Sequence, residues 1–208
     1  MGEIRKGDAK NAISERIELK TDMHQLAPRI IVDIDNTLWD FAAVLYDRLR
    51  AYGVPEPDKW HWDFWEQYMS PEEFVSHIDA VHRSQNGDHA PFPESRKFLH
   101  ALKHSGLSII VASHRTPDNY AATENWLNHH GLVFDELYVG PDKTQLFDAS
   151  RAIVDDSADT LNKAAQKNLI RAGLRYSWNK ESGHPLFNNL MDVLEYIERK
   201  LPTGGRLS

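Results

Sequence analysis

Residues 30–40 read Ile30-Ile31-Val32-Asp33-Ile34-Asp35-Asn36-Thr37-Leu38-Trp39-Asp40. Ile30 to Val32 is apolar and β-branched, the composition of a buried strand. The strand expected over Arg29 to Asp33 therefore ends on a carboxylate, and a second carboxylate follows one residue later. In an open α/β sheet the carboxyl ends of the strands are where ligands bind. Two carboxylates this close repel unless a cation or a proton lies between them. Two readings follow. In one, the aspartates cap the next helix, as Asp often does. In the other they form a Mg²⁺ site, with one Asp attacking phosphorus and the other moving protons.

Outward from this stretch the chain alternates. Phe41, Val44, Leu45, Leu49 and Tyr52 recur at helical spacing, and Gly53 stands where a C′ residue would. After Pro93 the pattern predicts a helix over 94–105 stopped by Gly106, a strand over 107–112, and a helix over 117–130. That last helix has Thr116 as N-cap, Pro117 at its first position and Gly131 beyond its end. A strand at 137–139, a short helix at 143–149, a strand at 152–154, a helix over 158–172 closed by Gly173, a strand at 174–178 and a helix over 189–200 complete it. Alternation at this spacing predicts an α/β fold with a doubly wound parallel sheet. The stretch 54–92 breaks the rhythm with Pro55, Pro57, Pro71 and Pro91, the cluster Trp60, Trp62 and Trp65, and a helix near 71–82. The expected organisation is a tail or peripheral helix over 1–27, an α/β core over 28–41 and 93–208, and an inserted subdomain over 42–92.

Composition limits the functions open to this chain. It has 208 residues, 41% hydrophobic and 26% charged, which suits a globular core with a modest insertion. Cysteine is absent, so a disulfide framework, a thiolate zinc site and a thiol nucleophile are excluded. The formal net charge is −7 and no Lys/Arg stripe is present, which argues against duplex nucleic acid and for a small substrate. No signal-peptide pattern and no long apolar run occur, so the expected location is cytoplasmic, without a membrane partner. A homodimer is compatible with the sequence.

Four features fall at the carboxyl ends of expected strands: Asp33 with Asp35, Ser113, Lys143, and Asp155-Asp156. In this order the set resembles the haloacid dehalogenase superfamily of phosphotransferases. Its pattern is Asp-x-Asp-x-Thr/Val, a Ser or Thr, a Lys and an acidic pair, over roughly residues 28–200. The resemblance implies a Rossmann-like core and a small helical cap inserted after the first strand. It implies Asp33 as nucleophile, forming an aspartyl-phosphate, and Asp35 as acid and then base. Mg²⁺ would be held by Asp33, Asp156 and the Asp35 backbone carbonyl, with Asp155 a ligand through water or an orienting group. Ser113 and Lys143 would bind the phosphoryl group, an electrostatic role that phosphoryl transfer requires. Ion pumps of the superfamily carry Thr at the position of Asp35 and its dehalogenases lack that Asp, so the resemblance favours a phosphatase.

The substrate is less sharply defined. Asp33-x-Asp-x-x-Leu38-x-Asp40-Phe41, Ser177-Trp178-Asn179 and the helix bearing Leu190, Val193, Leu194 and Ile197 are similar to the 5′(3′)-deoxyribonucleotidase group. That implies a nucleoside monophosphate, with Trp39, Phe41, Trp62 and Trp65 as stacking walls for a base. The same aromatics would equally serve as the core of a small subdomain. Asn36-Thr37-Leu38-Trp39 with Ser113-His114-Arg115-Thr116 resembles the magnesium-dependent phosphatase-1 group instead. A sugar phosphate, a phosphoprotein or a non-catalytic binding role stay open as alternatives. Arg115 either reaches a phosphate or base edge or is solvated. His100 and His104 have metal-ligand spacing but no companion Glu, and read as surface residues.

Overall fold

The computed structural model describes residues 27–55, 57, 63–85, 87 and 89–201. The expected tail over 1–27 therefore lies, but for its last residue, outside the described residues. Six strands form one sheet: β1 (Arg29–Asp33), β2 (Ser108–Ser113), β3 (Glu136–Val139), β4 (Ala152–Val154), β5 (Ile170–Leu174) and β6 (Leu186–Phe187). They run in the order β3-β2-β1-β4-β5-β6, and every adjacent pair is parallel. The strand order reverses between β1 and β4, the switch point at which open α/β sheets bind ligands.

Two-residue periodicity sorts the strand side chains onto two faces. Ile30, Val32, Ile109, Val111 and Val154 face α1 (Phe41–Arg50), α3 (Ser95–His104) and α6 (Leu190–Lys200) through Leu45, Leu49, Phe98, Leu99, Val193 and Ile197. Ile31, Ile110, Ala112 and Ile153 face Phe147, Leu161 and Ala164 on the other side, where α5 (Ala158–Gln166) lies. Both faces are covered, which makes the sheet doubly wound. The inserted stretch joins the first of these cores. α2 (Pro71–Ser84) starts at a capping box between Ser70 and Glu73 with Pro71 next, and buries Phe74 and Val81 against that cluster.

Three expectations need correction. The helix expected over 117–130 is a 3₁₀ turn, Pro117–Asn119, followed by α4 (Tyr120–His129). Thr116 makes no side-chain cap, because its hydroxyl accepts from Asn119 and donates towards Asp79. The first helix stops at Arg50, with Gly53 at φ 85° closing the turn beyond it.

The third correction is larger. The helix expected over 158–172 ends at Gln166, and the strand expected at 174–178 is β5 at Ile170–Leu174. Asn168, at φ 59°, takes the left-handed position that Gly173 was expected to fill. Gly173 instead sits within β5, where an added Cβ would lie 2.1 Å from the Asp155 carbonyl oxygen. Glycine here lets β5 approach the end of β4. Gly173→Ala is expected to destabilise the fold by about 3 kcal/mol through this backbone clash, read as a fall in thermal unfolding midpoint.

Candidate active site

Parallel strands bring their carboxyl ends to one edge, and the site is built there. Asp33 closes β1, Ser113 closes β2, Lys143 opens the 3₁₀ segment Lys143–Ala149 after β3, and Asp155-Asp156 follow β4. Asp142 caps the 3₁₀ segment, its carboxylate accepting from the Thr144 amide, and so fixes where Lys143 departs from the backbone. Lys143 is only 2% exposed. Its ammonium donates to Asp33 Oδ1 at 2.5 Å and to Asp155 Oδ2 at 2.6 Å. Asp155 is engaged at both oxygens, since its Oδ1 accepts from the Ser157 amide. Asp156 Oδ2 accepts from Asn36 Nδ2 at 3.2 Å and Trp178 Nε1 at 3.0 Å.

The charge balance of this group is unequal. Burial pushes Asp33 well above the usual carboxylate range; Lys143 opposes the rise, and Asp155, Asp156 and Asp35 add to it. Burial and then Asp155 push Asp156 up to about 7, against Lys143, Trp178 and Asn36. Ligand oxygens of Asp33, Asp155 and Asp156 come within 4.8 Å of one another, and Asp33 Oδ2 is buried with no hydrogen-bond partner. One ammonium cannot neutralise three buried carboxylates. An all-oxygen donor set with an unpartnered buried oxygen fits a hard divalent cation.

Asp35 has a different environment. Arg115 grips it with two bonds, Nη2 to Oδ1 at 2.6 Å and Nε to Oδ2 at 3.2 Å. Trp39 Nε1 donates to Oδ1 at 2.8 Å, Ser113 Oγ to Oδ2 at 3.0 Å, and His82 Nε2 lies 3.2 Å from Oδ2. Burial alone would raise this carboxyl, but Arg115 and then His82 outweigh it and hold Asp35 well below the usual range. Asp33 and Asp35 thus have opposed environments: burial and the neighbouring carboxylates favour the neutral form of Asp33, and the cationic cage favours the charged form of Asp35.

Asp33, Asp35, Ser113, Arg115, Lys143, Asp155 and Asp156 all meet in this one place. Arg115 does not open towards an incoming anion; its guanidinium is spent on Asp35, Gln85 and Thr123, and its side chain is 0% exposed. The expected stacking walls are packed away. Trp39 is 1% exposed among Phe41, His89 and Trp126, Phe41 lies against His82, and Trp65 stacks on Phe74 at 4.2 Å. Trp62 lies outside the described residues. Beside Lys143 is a cavity of 440 Å³, lined also by His114, Asp142, Thr144, Thr160 and Lys163. His104 turns its Nδ1 to the His100 carbonyl oxygen, as a surface pair does.

Sequence reasoning missed Asn36, His82, Gln85 and Tyr176. Asn36 at φ 58° has a conformational signature, since Asn tolerates the left-handed region that most residues avoid. It links the first loop to the last: its side chain binds Asp156 and the Ala42 amide, and its carbonyl accepts from Tyr176 Oη at 2.7 Å. Tyr176 stacks flat on Trp178, which fixes the indole that donates to Asp156.

No protein-family model matches the chain. A protein of Chlorobaculum tepidum described as "Putative 5′(3′)-deoxyribonucleotidase" is 24% identical over 199 residues, covering 86% of this chain and 94% of that one. Among solved structures, a predicted phosphatase from Clostridium acetobutylicum superimposes with a TM-score of 0.60 at 17% identity, over 84% of this chain and 100% of that one. A predicted phosphoglycolate phosphatase from Haemophilus somnus gives 0.58 at 17%, over 81% and 97%. A haloacid dehalogenase-type hydrolase from Bacillus subtilis, bound to magnesium, gives 0.56 at 14%, over 83% and 99%. The chain shares the fold of these phosphatases and hydrolases, and carries the four motif positions at the carboxyl edge of that fold.

Proposed function

We propose that this chain is a Mg²⁺-dependent phosphomonoesterase acting through an aspartyl-phosphate on Asp33. The observation that carries the reading is the buried Asp33–Lys143–Asp155/Asp156 group, with Asp33 Oδ2 unpartnered beside Asp35 in its own cationic cage. Asp33 and Asp156, with the Asp35 backbone carbonyl, would hold the cation, and Asp155 would orient Lys143. When bound, Mg²⁺ supplies charge neutralisation for the phosphoryl oxygens.

The chain's own residues account for the proton and bond changes. An Asp33 oxygen attacks phosphorus and the bond to the leaving oxygen breaks, while that oxygen takes a proton from Asp35, which must first have taken one up against the hold of Arg115 and His82. Asp35, now a carboxylate, takes a proton from water as the water oxygen attacks the aspartyl-phosphate. Inorganic phosphate leaves and Asp33 is restored. Lys143 keeps Asp33 oriented throughout, and Ser113, hydrogen-bonded to Asp35, stands ready to donate to a phosphoryl oxygen. Residues 42–92 would act as the cap, because α2 reaches the site edge through His82 and Gln85.

A nucleoside monophosphate is the substrate class favoured by the deoxyribonucleotidase-like relative. A second reading rests on a specific observation: the cavity beside Lys143 is lined by the hydroxyls of Thr144 and Thr160, the charges of Asp142, Lys143 and Lys163, Pro141 and the His114 ring, with no Trp, Tyr or Phe, which suits a sugar phosphate. Phosphate release from nucleoside 5′- and 3′-monophosphates, sugar phosphates and a phosphopeptide, with Mg²⁺ or with EDTA, tests both. Mg²⁺-dependent release confined to nucleotides is the expected result. Release from sugar phosphates alone would keep the chemistry and replace the substrate class. No release from any of them would overturn the phosphatase reading. No helix among the described residues is long and apolar enough to cross a membrane.

A further inference from the structure

Opposite its two bonds to Asp35, the Arg115 guanidinium is anchored through Nη1 to two groups. On the core side its Nη1 donates to Thr123 Oγ1 at 2.9 Å, and Thr123 is itself tied to the Asn119 carbonyl. On the other side the same Nη1 donates to Gln85 Oε1, from the residue that caps the C-terminus of α2. One turn earlier on α2, His82 lies 3.2 Å from Asp35, with its ring stacked 4.9 Å from Phe41. All these groups are buried: Gln85 is 3% exposed, as are His82 and Arg115. Neither Gln85 nor His82 belongs to the four motifs, and both sit on the Asp35 side of the site.

Resting on the phosphatase reading above, we propose that Gln85 and His82 are positioning residues for Asp35. Gln85 acts through Arg115 and His82 acts directly on the carboxylate. The inserted segment is then part of the proton-transfer machinery as well as a cover over the substrate. The physical reason is the shape of the guanidinium. A planar fork fixes a carboxylate in one plane only if the fork itself cannot rotate. Thr123 alone leaves Arg115 pivoting about one anchor, and Gln85 supplies the second. Asp35 then faces the leaving oxygen in one orientation while α2 is docked, and loses it when α2 moves.

A merely structural role and a positioning role separate on leaving-group dependence. A nitrophenolate departs without a proton, whereas an alkoxide needs one, so the first transfer, which kcat/KM reports, depends on where Asp35 points only for the second substrate; hydrolysis of the aspartyl-phosphate uses Asp35 for both. Full-length Gln85→Ala with Mg²⁺ is expected to lose about tenfold in kcat/KM on an alkyl phosphate such as a nucleoside 5′-monophosphate, within the range general acid catalysis supplies. Its kcat/KM on 4-nitrophenyl phosphate should stay near that of the unmodified chain. Gln85→Glu, which keeps an acceptor for Arg115, should restore the alkyl phosphate rate. An equal loss in kcat/KM on both substrates, or no loss on either, overturns the proposal.

A second measurement does not require turnover. The Arg115 Nε–H resonance, identified by its disappearance in Arg115→Lys, should shift or broaden in Gln85→Ala. An unchanged resonance overturns the positioning role. Absence of hydrolysis by the unmodified chain, with that resonance responding as expected, would overturn the phosphatase reading alone.

Discussion

Replacing Asp33 with asparagine is expected to abolish phosphate release while leaving the protein at least as stable as before. The two halves of that result come from one feature. Asparagine keeps the shape and removes the nucleophilic charge, so no aspartyl-phosphate forms; losses of about 10⁴-fold or more in kcat follow removal of a nucleophile. Stability should move the other way because Asp33 is a poor place for a charge. It is 4% exposed, burial raises it, and Asp155, Asp156 and Asp35 raise it further against the pull of Lys143. Lys143 keeps Asp155 as a partner when Asp33 is neutral, so the ammonium is not left unpaired. In EDTA the variant's thermal midpoint is expected to equal or exceed that of the unmodified chain. With Mg²⁺ the order should reverse, because a cation held by Asp33 and Asp156 stabilises only the chain that retains its ligand. A variant that keeps measurable single-turnover release would remove Asp33 from the nucleophile role. A variant that unfolds would show the carboxylate to be structural.

The motif residues were legible in the sequence because β-branched runs mark strand ends and parallel strands share an edge. Asp33, Ser113 and Asp155-Asp156 each follow such a run, Lys143 stands four residues past Val139, and the parallel topology brings them to one edge. The strand β5 was misplaced because Gly173 imitates a helix stop. Only the three-dimensional approach of β5 to the Asp155 carbonyl shows why glycine is needed there, and Asn168 was the actual stop. Leu186 and Phe187 form a strand too short for any periodic signal. The Asp35 cage was illegible for another reason. Gln85 and His82 are 50 and 47 residues away along the chain, on a helix whose apolar pattern says only that one face is buried. Arg115 was singled out for its place beside Ser113, yet sequence position cannot show that its fork turns inwards to Asp35. The aromatics were weighed as either a ligand box or a subdomain core. Trp39 became core because a strand-to-helix loop packed against α4 leaves its indole no exit except one hydrogen bond to Asp35.

Lys143→Met is expected to be the most damaging single change to stability at the site, and its effect should grow with pH. The side chain is buried and its ammonium is shared by Asp33 and Asp155. Methionine fills much of the same volume, so the loss is one of charge. Removing one partner of a buried ion pair costs about 3–5 kcal/mol, because the carboxylates left behind have neither water nor a counter-charge. The direction of the pH effect follows from the carboxylates that stay. Asp33 lies well above its ordinary range and Asp156 at about 7 even with the lysine present. A group whose pKa is raised on folding contributes stability below its unfolded pKa, and that contribution is lost as pH rises through the folded value. Near pH 5 both groups of the variant can carry protons, which relieves the repulsion. Near pH 8 both must be charged or hold protons against the solvent. The difference in thermal midpoint between the unmodified chain and Lys143→Met, measured in EDTA, should therefore be larger at pH 8 than at pH 5. Mg²⁺ at pH 8 should recover part of the gap by supplying positive charge, without restoring phosphate release, since the Lys143 hold on Asp33 Oδ1 is gone. A gap that is flat with pH would mean that Lys143 stabilises the fold by packing alone. In that case the crowded carboxylates would not be the reason a buried ammonium stands at this sheet edge.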